Sequence, residues 1–176
     1  MTRTIPAVPY VYPDQPVAAA DWNDFVYACG FYTHPPAALL YQNATQVVPS
    51  ATPTLVSFDS AERDSDAGHN PTANSNRYTI QIPGLYHVTA MGSIDPTNNN
   101  GGERSIGIKV NDTTFWSFHL LAPYAQGFFY GTCSADIPLN AGDWVEAHLF
   151  QDSGDNTAKT GIADSQCRLL VQWVAN

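Results

Sequence analysis

Basic side chains are scarce in this sequence, which has 7 Lys and Arg against 16 Asp and Glu in 176 residues. The seven are scattered singly, whereas a surface that neutralises a nucleic-acid backbone needs clustered Lys and Arg. A polybasic segment that would attract an anionic membrane is missing for the same reason. We therefore expect no nucleic-acid partner and no charge-driven membrane binding for a chain of formal net charge −9.

Long apolar runs are also missing, because nowhere do about 18 apolar residues follow one another as a membrane-spanning helix requires. Residues 1–6 lack the basic and then apolar pattern of a signal peptide. We therefore expect no membrane insertion and no secretion signal.

Cysteine is rare, with 3 residues at wide spacing and no C-x-x-C pair. Neither a disulfide framework nor a zinc knuckle is indicated. We interpret Cys29, Cys133 and Cys167 as small buried hydrophobic residues, because free cysteine is among the most buried residue types. Their pairing and redox state stay open.

Recognisable catalytic motifs are missing as well. The sequence has no G-x-S-x-G nucleophile elbow, no H-E-x-x-H metal motif, no phosphate-binding glycine loop and no dinucleotide fingerprint. None of the 5 histidines shares a short segment with another at ligand spacing. We therefore predict a protein that is not an enzyme and holds no resident metal or cofactor. A glycan hydrolase or depolymerase that uses loop carboxylates is the remote alternative.

The first 16 residues are rich in proline, and the closely spaced pyrrolidine rings forbid a helix and favour an extended arm. Such an arm cannot bury its own aromatic side chains, so Tyr10 and Tyr12 either remain mobile in water or pack on another surface, and we expect packing. From residue 17 to 32, apolar residues at helical spacing predict one short amphipathic helix. Its apolar stripe consists of Trp22, Phe25, Val26 and Cys29.

A helix this short is unstable alone, so its stripe must dock on the rest of the chain or on a neighbour. Pro35 and Pro36 close the segment, because a residue before proline is pushed out of the helical region. We therefore divide the chain into an anchoring segment, residues 1–34, and a head domain, residues 35–176. Tyr10, Tyr12, Trp22 and Phe25 are the predicted anchoring residues.

Beyond this boundary, short apolar and aromatic runs alternate with Gly, Pro, Asn and Asp, which is typical of an all-β antiparallel sandwich or barrel. In the run from 105 to 111, Ile106, Ile108 and Val110 alternate with residues expected to face water. Asn111 and Asp112 then predict a tight hairpin turn. The nine predicted strands cover 38–42, 55–58, 78–82, 85–94, 105–111, 113–121, 128–137, 144–151 and 167–174.

Several of the later strands are apolar on both faces, although a two-layer sandwich has only one core between its sheets. A monomer rarely exposes a large apolar patch, so subunit association is the simplest cover. Coverage by the N-terminal helix and by loops within one subunit is the alternative. The candidate interface residues are Trp116, Phe118, Trp144, Phe150, Leu170 and Trp173.

An acidic segment from 59 to 69 is the best candidate for a cation site, because calcium prefers carboxylate and other oxygen ligands. Its candidate ligands are Asp59, Glu62, Asp64 and Asp66. The segment departs from an EF-hand loop, since Gly68 comes one position early and Ser75 replaces the closing Glu. Calcium is thus a secondary hypothesis.

The stretch from Tyr78 to Val88 resembles the signature of the complement component 1q globular head, which shares the tumour-necrosis-factor jelly roll. Gly84 and Tyr86 match this pattern, while Val88 stands where Phe is usual. Gly142 and Asp143 match the turn before the penultimate strand, but the Phe-Ser-Gly element near the end is absent. The resemblance implies an antiparallel two-sheet jelly roll that assembles as a homotrimer.

The N-terminal segment has no collagen repeat. Its residues 20–25, followed by 33–36, are similar to the short leader of tail or virion-surface proteins of phages that infect actinobacteria. This second resemblance implies a non-enzymatic structural protein of a bacteriophage virion, in host attachment or capsid decoration. Its partners would be other virion proteins and host cell-wall glycan, and the outward loop 95–102 would contact the glycan. A secreted or cell-surface adhesin or lectin-like module is the alternative.

Overall fold

The structure is a computed structural model that describes residues 3–10, 12–13, 15–95, 101–121 and 128–176, without the side chain of Leu121. The described residues form one α-helix, one short 3₁₀ turn and ten β-strands. Their bounds are α1 Ala19–Thr33, β1 Ala37–Tyr41, β2 Thr54–Leu55, β3 Ser60–Asp64, β4 Arg77–Thr79, β5 Gly84–Ile94, β6 Arg104–Val110, β7 Thr114–Leu121, β8 Phe129–Leu139, β9 Trp144–Gln151 and β10 Arg168–Ala175, with the 3₁₀ turn at Ala163–Ser165.

The strands build two antiparallel sheets that face each other. Sheet I has the order β3-β1-β10-β5-β8, and sheet II has the order β2-β9-β6-β7 with β4 also paired to β9. All strand pairings between these named strands are antiparallel. The predicted all-β two-sheet jelly-roll sandwich with a short N-terminal helix is therefore confirmed.

The core lies between the sheets and follows the predicted alternation. Ile106, Ile108 and Val110 of β6 are buried there. The expectation that the opposite face of β6 lies in water is wrong, because Ser105 and Gly107 are buried too. A side chain at Gly107 would sit 2.7 Å from the Phe115 ring, so aromatic side chains from β7 cover this face.

The hairpin between β6 and β7 has the predicted tight turn. Asn111 and Asp112 both have positive φ, 53° and 54°. The Thr113 N–H donates to Val110 O at 3.1 Å. Positive φ at both central residues is the type I′ geometry that Asn and Asp tolerate and that matches strand twist.

The helix is confirmed, but the face that it packs on the head differs from the predicted stripe. Ala28 and Phe31 are its buried residues, and the Phe31 ring meets Trp173 of β10 edge-on at 5.3 Å between centroids. Trp22 and Phe25 remain exposed. The helix packs on the head through the face that meets an aromatic residue of a distant strand. Helical spacing alone does not reveal which face that is.

The extended arm is held on the head near its start. The Arg3 guanidinium donates two hydrogen bonds to the Asp66 carboxylate, at 2.8 and 2.7 Å, and Nη1 donates to His34 O. Ile5 packs against the core. The segment 1–34 therefore contacts the head through Arg3, Ile5 and Phe31, while the domain boundary itself stays a prediction.

This ion pair makes one part of the stability pH-dependent. Burial alone would raise the pKa of Asp66, but the hydrogen bonds from Arg3 and Ser65 hold it below its ordinary value. A carboxyl with a lowered folded-state pKa stabilises the fold above its unfolded pKa, and this contribution disappears as the pH falls through the folded pKa. We expect Asp66→Asn to cost about 1.5–3 kcal/mol at neutral pH.

The loss for Asp66→Asn should shrink below about pH 4, where the unfolded-state carboxyl protonates. Urea unfolding of both proteins between pH 3 and pH 7 measures it. A difference in unfolding free energy that stays constant over this range would contradict the role of the Arg3–Asp66 pair.

The three cysteines are all free, and their burial differs. Cys133 and Cys167 are buried as predicted, and burial raises the pKa of each thiol to about 11. Cys29 is exposed on α1, so its predicted burial is wrong. The reason is the same as for the helical stripe, because Cys29 lies on the face that does not pack on the head.

Candidate functional site

The six candidate interface residues do not form one surface. Leu170 lies on the outer face of sheet I, whereas Phe118, Trp144 and Phe150 lie on the outer face of sheet II. Trp173 is buried within the subunit, where it packs on Phe31 and its Nε1 donates to Pro83 O at 3.3 Å. The N-terminal helix therefore covers Trp173, one of the six candidates, within the subunit.

A β-bulge at Trp116 changes how β7 presents its aromatic residues. Ser117 pairs with Ile108, but the next β6 residue, Lys109, pairs with Phe115. Trp116 is thus the extra residue, and both Phe115 and Phe118 point to the outer face, with ring centroids 5.6 Å apart. The bulge concentrates aromatic surface that strict alternation would have divided between two faces.

Exposed apolar side chains stand on β7, where sheet II ends, and on or next to β8, where sheet I ends. Phe118 is 51% exposed and Tyr130 58% exposed. The two strands are joined there by a hydrogen bond from His119 Nδ1 to Thr132 O, 2.9 Å long. We name this surface the aromatic edge, and its members are Trp116, Phe118, Leu120, Phe128 and Tyr130.

The four predicted anchoring residues are all exposed, as two aromatic pairs. Tyr10 and Tyr12 meet edge-on with centroids 4.9 Å apart, and Trp22 lies 5.9 Å from Phe25. The two rings of each pair thus contact each other while both stay exposed. The outward loop predicted at 95–102 falls mostly outside the described residues, since 96–100 are among those not described.

The candidate calcium ligands already have structural roles. Part of their segment is strand β3 rather than a loop. Asp59 accepts the N–H groups of Asn43 and Ala44, and Asp64 accepts those of Gly68 and His69. Asp66 pairs with Arg3, and Glu62 is exposed on β3. Calcium at this segment stays a prediction.

The signature residues hold two turns. Gly84 has a φ of 150°, and the Tyr86 hydroxyl donates to Ile82 O at 2.6 Å, bridging the turn that leads into β5. Gly142 has a φ of 94°. Asp143 accepts Asn111 Nδ2 at 2.8 Å and Asn140 N–H at 2.7 Å, and these hydrogen bonds lower its pKa. The Asp143 bond ties the β6–β7 hairpin to the start of β9.

A shallow apolar groove of about 230 Å³ crosses the outer face of sheet II. Phe115, Phe118 and Phe150 form its walls together with Pro53, and His148 and Ser105 lie at its floor. The Ser105 hydroxyl is buried and finds no hydrogen-bond partner in the described part of the chain. The groove can therefore offer aromatic faces and a few polar atoms to a small ligand.

Beside this groove the structure brings together Asp112, Glu146 and His148, which the sequence analysis did not single out. One ligand-type atom from each lies within 4.8 Å of the other two. Glu146 and His148 are two residues apart on β9 and share its outer face, whereas Asp112 comes from the adjacent turn. The sequence did contain a signal for this cluster: a Glu-x-His pair on one predicted strand, and an Asp in the predicted Asn-Asp hairpin turn.

Among the described residues no helix is long and apolar enough to span a membrane. No protein-family model matches the sequence, and no curated protein matches it.

Solved structures do match. The globular domain of zebrafish complement 1qA is 15% identical with a TM-score of 0.59, and the match covers 80% of this chain and 99% of that one. The tumour-necrosis-factor protein Eiger from S. frugiperda is 12% identical with a TM-score of 0.56, covering 80% and 95%. At these identities the likeness is one of fold, and the chain has the jelly-roll fold that these complement 1q and tumour-necrosis-factor domains share.

Proposed function

We propose that this chain is a non-enzymatic homotrimeric knob on the surface of a bacteriophage virion, attached through residues 1–34. The observation that carries the trimer is the aromatic edge, where large apolar side chains of two edge strands are exposed together. An edge strand also presents unpaired backbone groups, which proteins usually cover. Packing this edge against a second copy would cover both the exposed apolar side chains and the unpaired backbone groups. The complement 1q resemblance implies three copies.

The trimer is tested by light scattering on the purified chain, for which we expect three times the subunit mass of 19.1 kDa. Phe118→Ser removes a central apolar contact of the aromatic edge and should shift the population towards monomer. Ile162→Ser is the matched control, since Ile162 is similarly exposed, at 48%, outside the aromatic edge. If the parent chain is a monomer at micromolar concentration, the trimer proposal is wrong.

Attachment through the N-terminal segment rests on the two faces of α1. One face packs on the head through Phe31, while Trp22 and Phe25 are exposed and their rings lie against each other. Exposed aromatic residues at a short helix are suited to docking on a larger partner. The similarity to virion leaders supplies the kind of partner, a tail or capsid component.

We expect Trp22→Ser with Phe25→Ser to leave the melting temperature within about 2 °C, because exposed substitutions cost little, yet to reduce incorporation into particles severely. Quantitative immunoblotting of purified virions measures it, and Val47→Ser is an exposed control on the head. Normal incorporation of the double variant, or of a chain without residues 1–16, would count against attachment through this segment.

The groove on sheet II favours a second candidate function, a lectin-like or adhesin module. Sugar rings pack on aromatic faces, and Phe115, Phe118 and Phe150 line the groove beside buried polar atoms. Capture of the purified head by host cells, lost in Phe150→Ser, supports attachment or adhesion. A head that is retained on virions and never binds cells supports decoration alone.

A further inference from the structure

The cluster of Asp112, Glu146 and His148 carries a feature that hydrogen bonding within the chain leaves unexplained. Glu146 is 3% exposed and His148 is 7% exposed. Glu146 Oε2 and both ring nitrogens of His148 nevertheless have no hydrogen-bond partner among the described residues. A buried polar atom without a partner costs about 1–3 kcal/mol, and more when it is charged. Two adjacent side chains bear this cost with their unpartnered atoms close together.

These atoms face each other across a short gap. Glu146 Oε2 lies 4.0 Å from His148 Nε2, which is too long for a hydrogen bond between them. Asp112 completes a set of three ligand-type atoms that all lie within 4.8 Å of one another. In a tetrahedral zinc site with bonds of about 2.0–2.1 Å, neighbouring ligand atoms are about 3.4 Å apart. Small side-chain rotations therefore bring all three to one ion.

The backbone already holds the three donors in place. Glu146 and His148 point the same way from β9, as alternate residues of a strand must. Asp112 sits in the type I′ turn, which Asn111 fastens to the start of β9 by accepting the Trp144 N–H at 2.9 Å. The Asn76 amide donates to Glu146 Oε1 at 3.1 Å and so leaves Oε2 as the free carboxylate oxygen.

We propose that Asp112, Glu146 and His148 form a binding site for a divalent transition-metal cation, with zinc as the best fit. One imidazole nitrogen and two carboxylate oxygens are donors that zinc accepts, and the two carboxylates balance its charge. Calcium fits less well, because it needs six to eight oxygens. Three protein ligands leave a fourth position open for water or for a group on a partner, and the exposed Asp112 lies on the solvent side.

Two cations of the chain lie near the cluster. Lys109 Nζ is 3.4 Å from Asp112 Oδ1 and competes with a metal for that carboxylate. Arg77 pairs with Glu146 in the strand register but stacks on the Trp144 ring at 4.7 Å. The site therefore predicts opposite effects for two kinds of variant: loss of a ligand weakens metal binding, and loss of the competing ammonium strengthens it.

The test is calorimetric titration of the untagged full chain with zinc chloride, in a Cys29→Ser background that removes the exposed thiol. We expect one zinc per chain, with affinity reduced at least about tenfold in Glu146→Gln and His148→Gln, and reduced about tenfold or more in Asn76→Ala, whose residue orients a ligand. Lys109→Gln should bind more tightly. His87→Gln is the matched control, because His87 pairs with Asp136 at 2.7 Å on sheet I.

Asp112→Asn keeps the test decisive if the buried variants fail to fold, because Asp112 is exposed in the turn. We expect this variant to bind zinc more weakly and to keep the circular dichroism spectrum of the parent. Zinc should also raise the melting temperature of the parent more than that of Asp112→Asn, because ligand binding to the native state stabilises it. Absence of saturable zinc binding, or binding that none of the ligand variants weakens, would overturn the site.

Discussion

Trp173→Ala is expected to lower the free energy of unfolding by about 3–5 kcal/mol, which is the usual cost of truncating a buried Trp to Ala. For a chain of this length that loss corresponds to about 6–20 °C in melting temperature. The substitution empties a position that is 5% exposed, removes the Nε1 hydrogen bond to Pro83 O and takes away the aromatic partner of Phe31. The helix therefore loses its main contact with the head.

Val174→Ala is the matched control for this effect. Val174 is the next residue on β10 and is 53% exposed, so its truncation should cost less than about 0.5 kcal/mol. Thermal unfolding followed by circular dichroism compares the two, and limited proteolysis shows whether α1 is released in Trp173→Ala. Equal losses in both variants would mean that Trp173 does not join the helix to the head.

Gly84→Ala has the second large expected effect, because two independent costs meet at one residue. Its φ of 150° is a conformation that only glycine adopts readily, and a Cβ there would lie 2.6 Å from Ala175 O and even closer to Trp173 Nε1. Backbone strain and overpacking each cost about 1–3 kcal/mol, so we expect a loss of about 2–6 kcal/mol in total.

Gly142→Ala separates the two costs. Gly142 also has a positive φ, 94°, but a Cβ there would meet no atom of the residues that the structure describes within 4 Å. Only the strain of about 1–3 kcal/mol should remain in that variant. Urea unfolding of both proteins measures the difference. If Gly142→Ala were the more destabilised of the two, the close packing of Gly84 against the end of β10 could not be the cause.

Strands that place core residues at alternate positions were predictable from local pattern. Strand β9 was found with its observed bounds, because Val145, Ala147 and Leu149 alternate with residues of the other face. Strand β3 was missed, because Ser60–Asp64 contains almost no apolar residue and pairs with β1 through its backbone. An edge strand that buries little has no periodic signal for sequence analysis to detect.

The candidate sites were harder to predict because they depend on distant residues. The periodicity of α1 was correct, but Trp173, more than a hundred positions away, decides that Phe31 is the docked residue. The six interface candidates lie on different sheets because of the order of the strands in each sheet. Residue spacing in the sequence carries no information about that order. Glu146 and His148 were visible as a pair on one strand, whereas the approach of Asp112 depends on the register between β6 and β9.

The missed strand β3 has a consequence for how copies of this protein can add to one another. It forms one border of sheet I, and its exposed residues Ala61, Glu62 and Arg63 give that border charges of both signs. Charged side chains on an edge oppose strand-to-strand growth by further molecules. The opposite border, β8, belongs to the aromatic edge, so the two borders of sheet I differ in character: one is charged and the other is apolar. The charges on β3 therefore work against fibril-like growth from this border of sheet I.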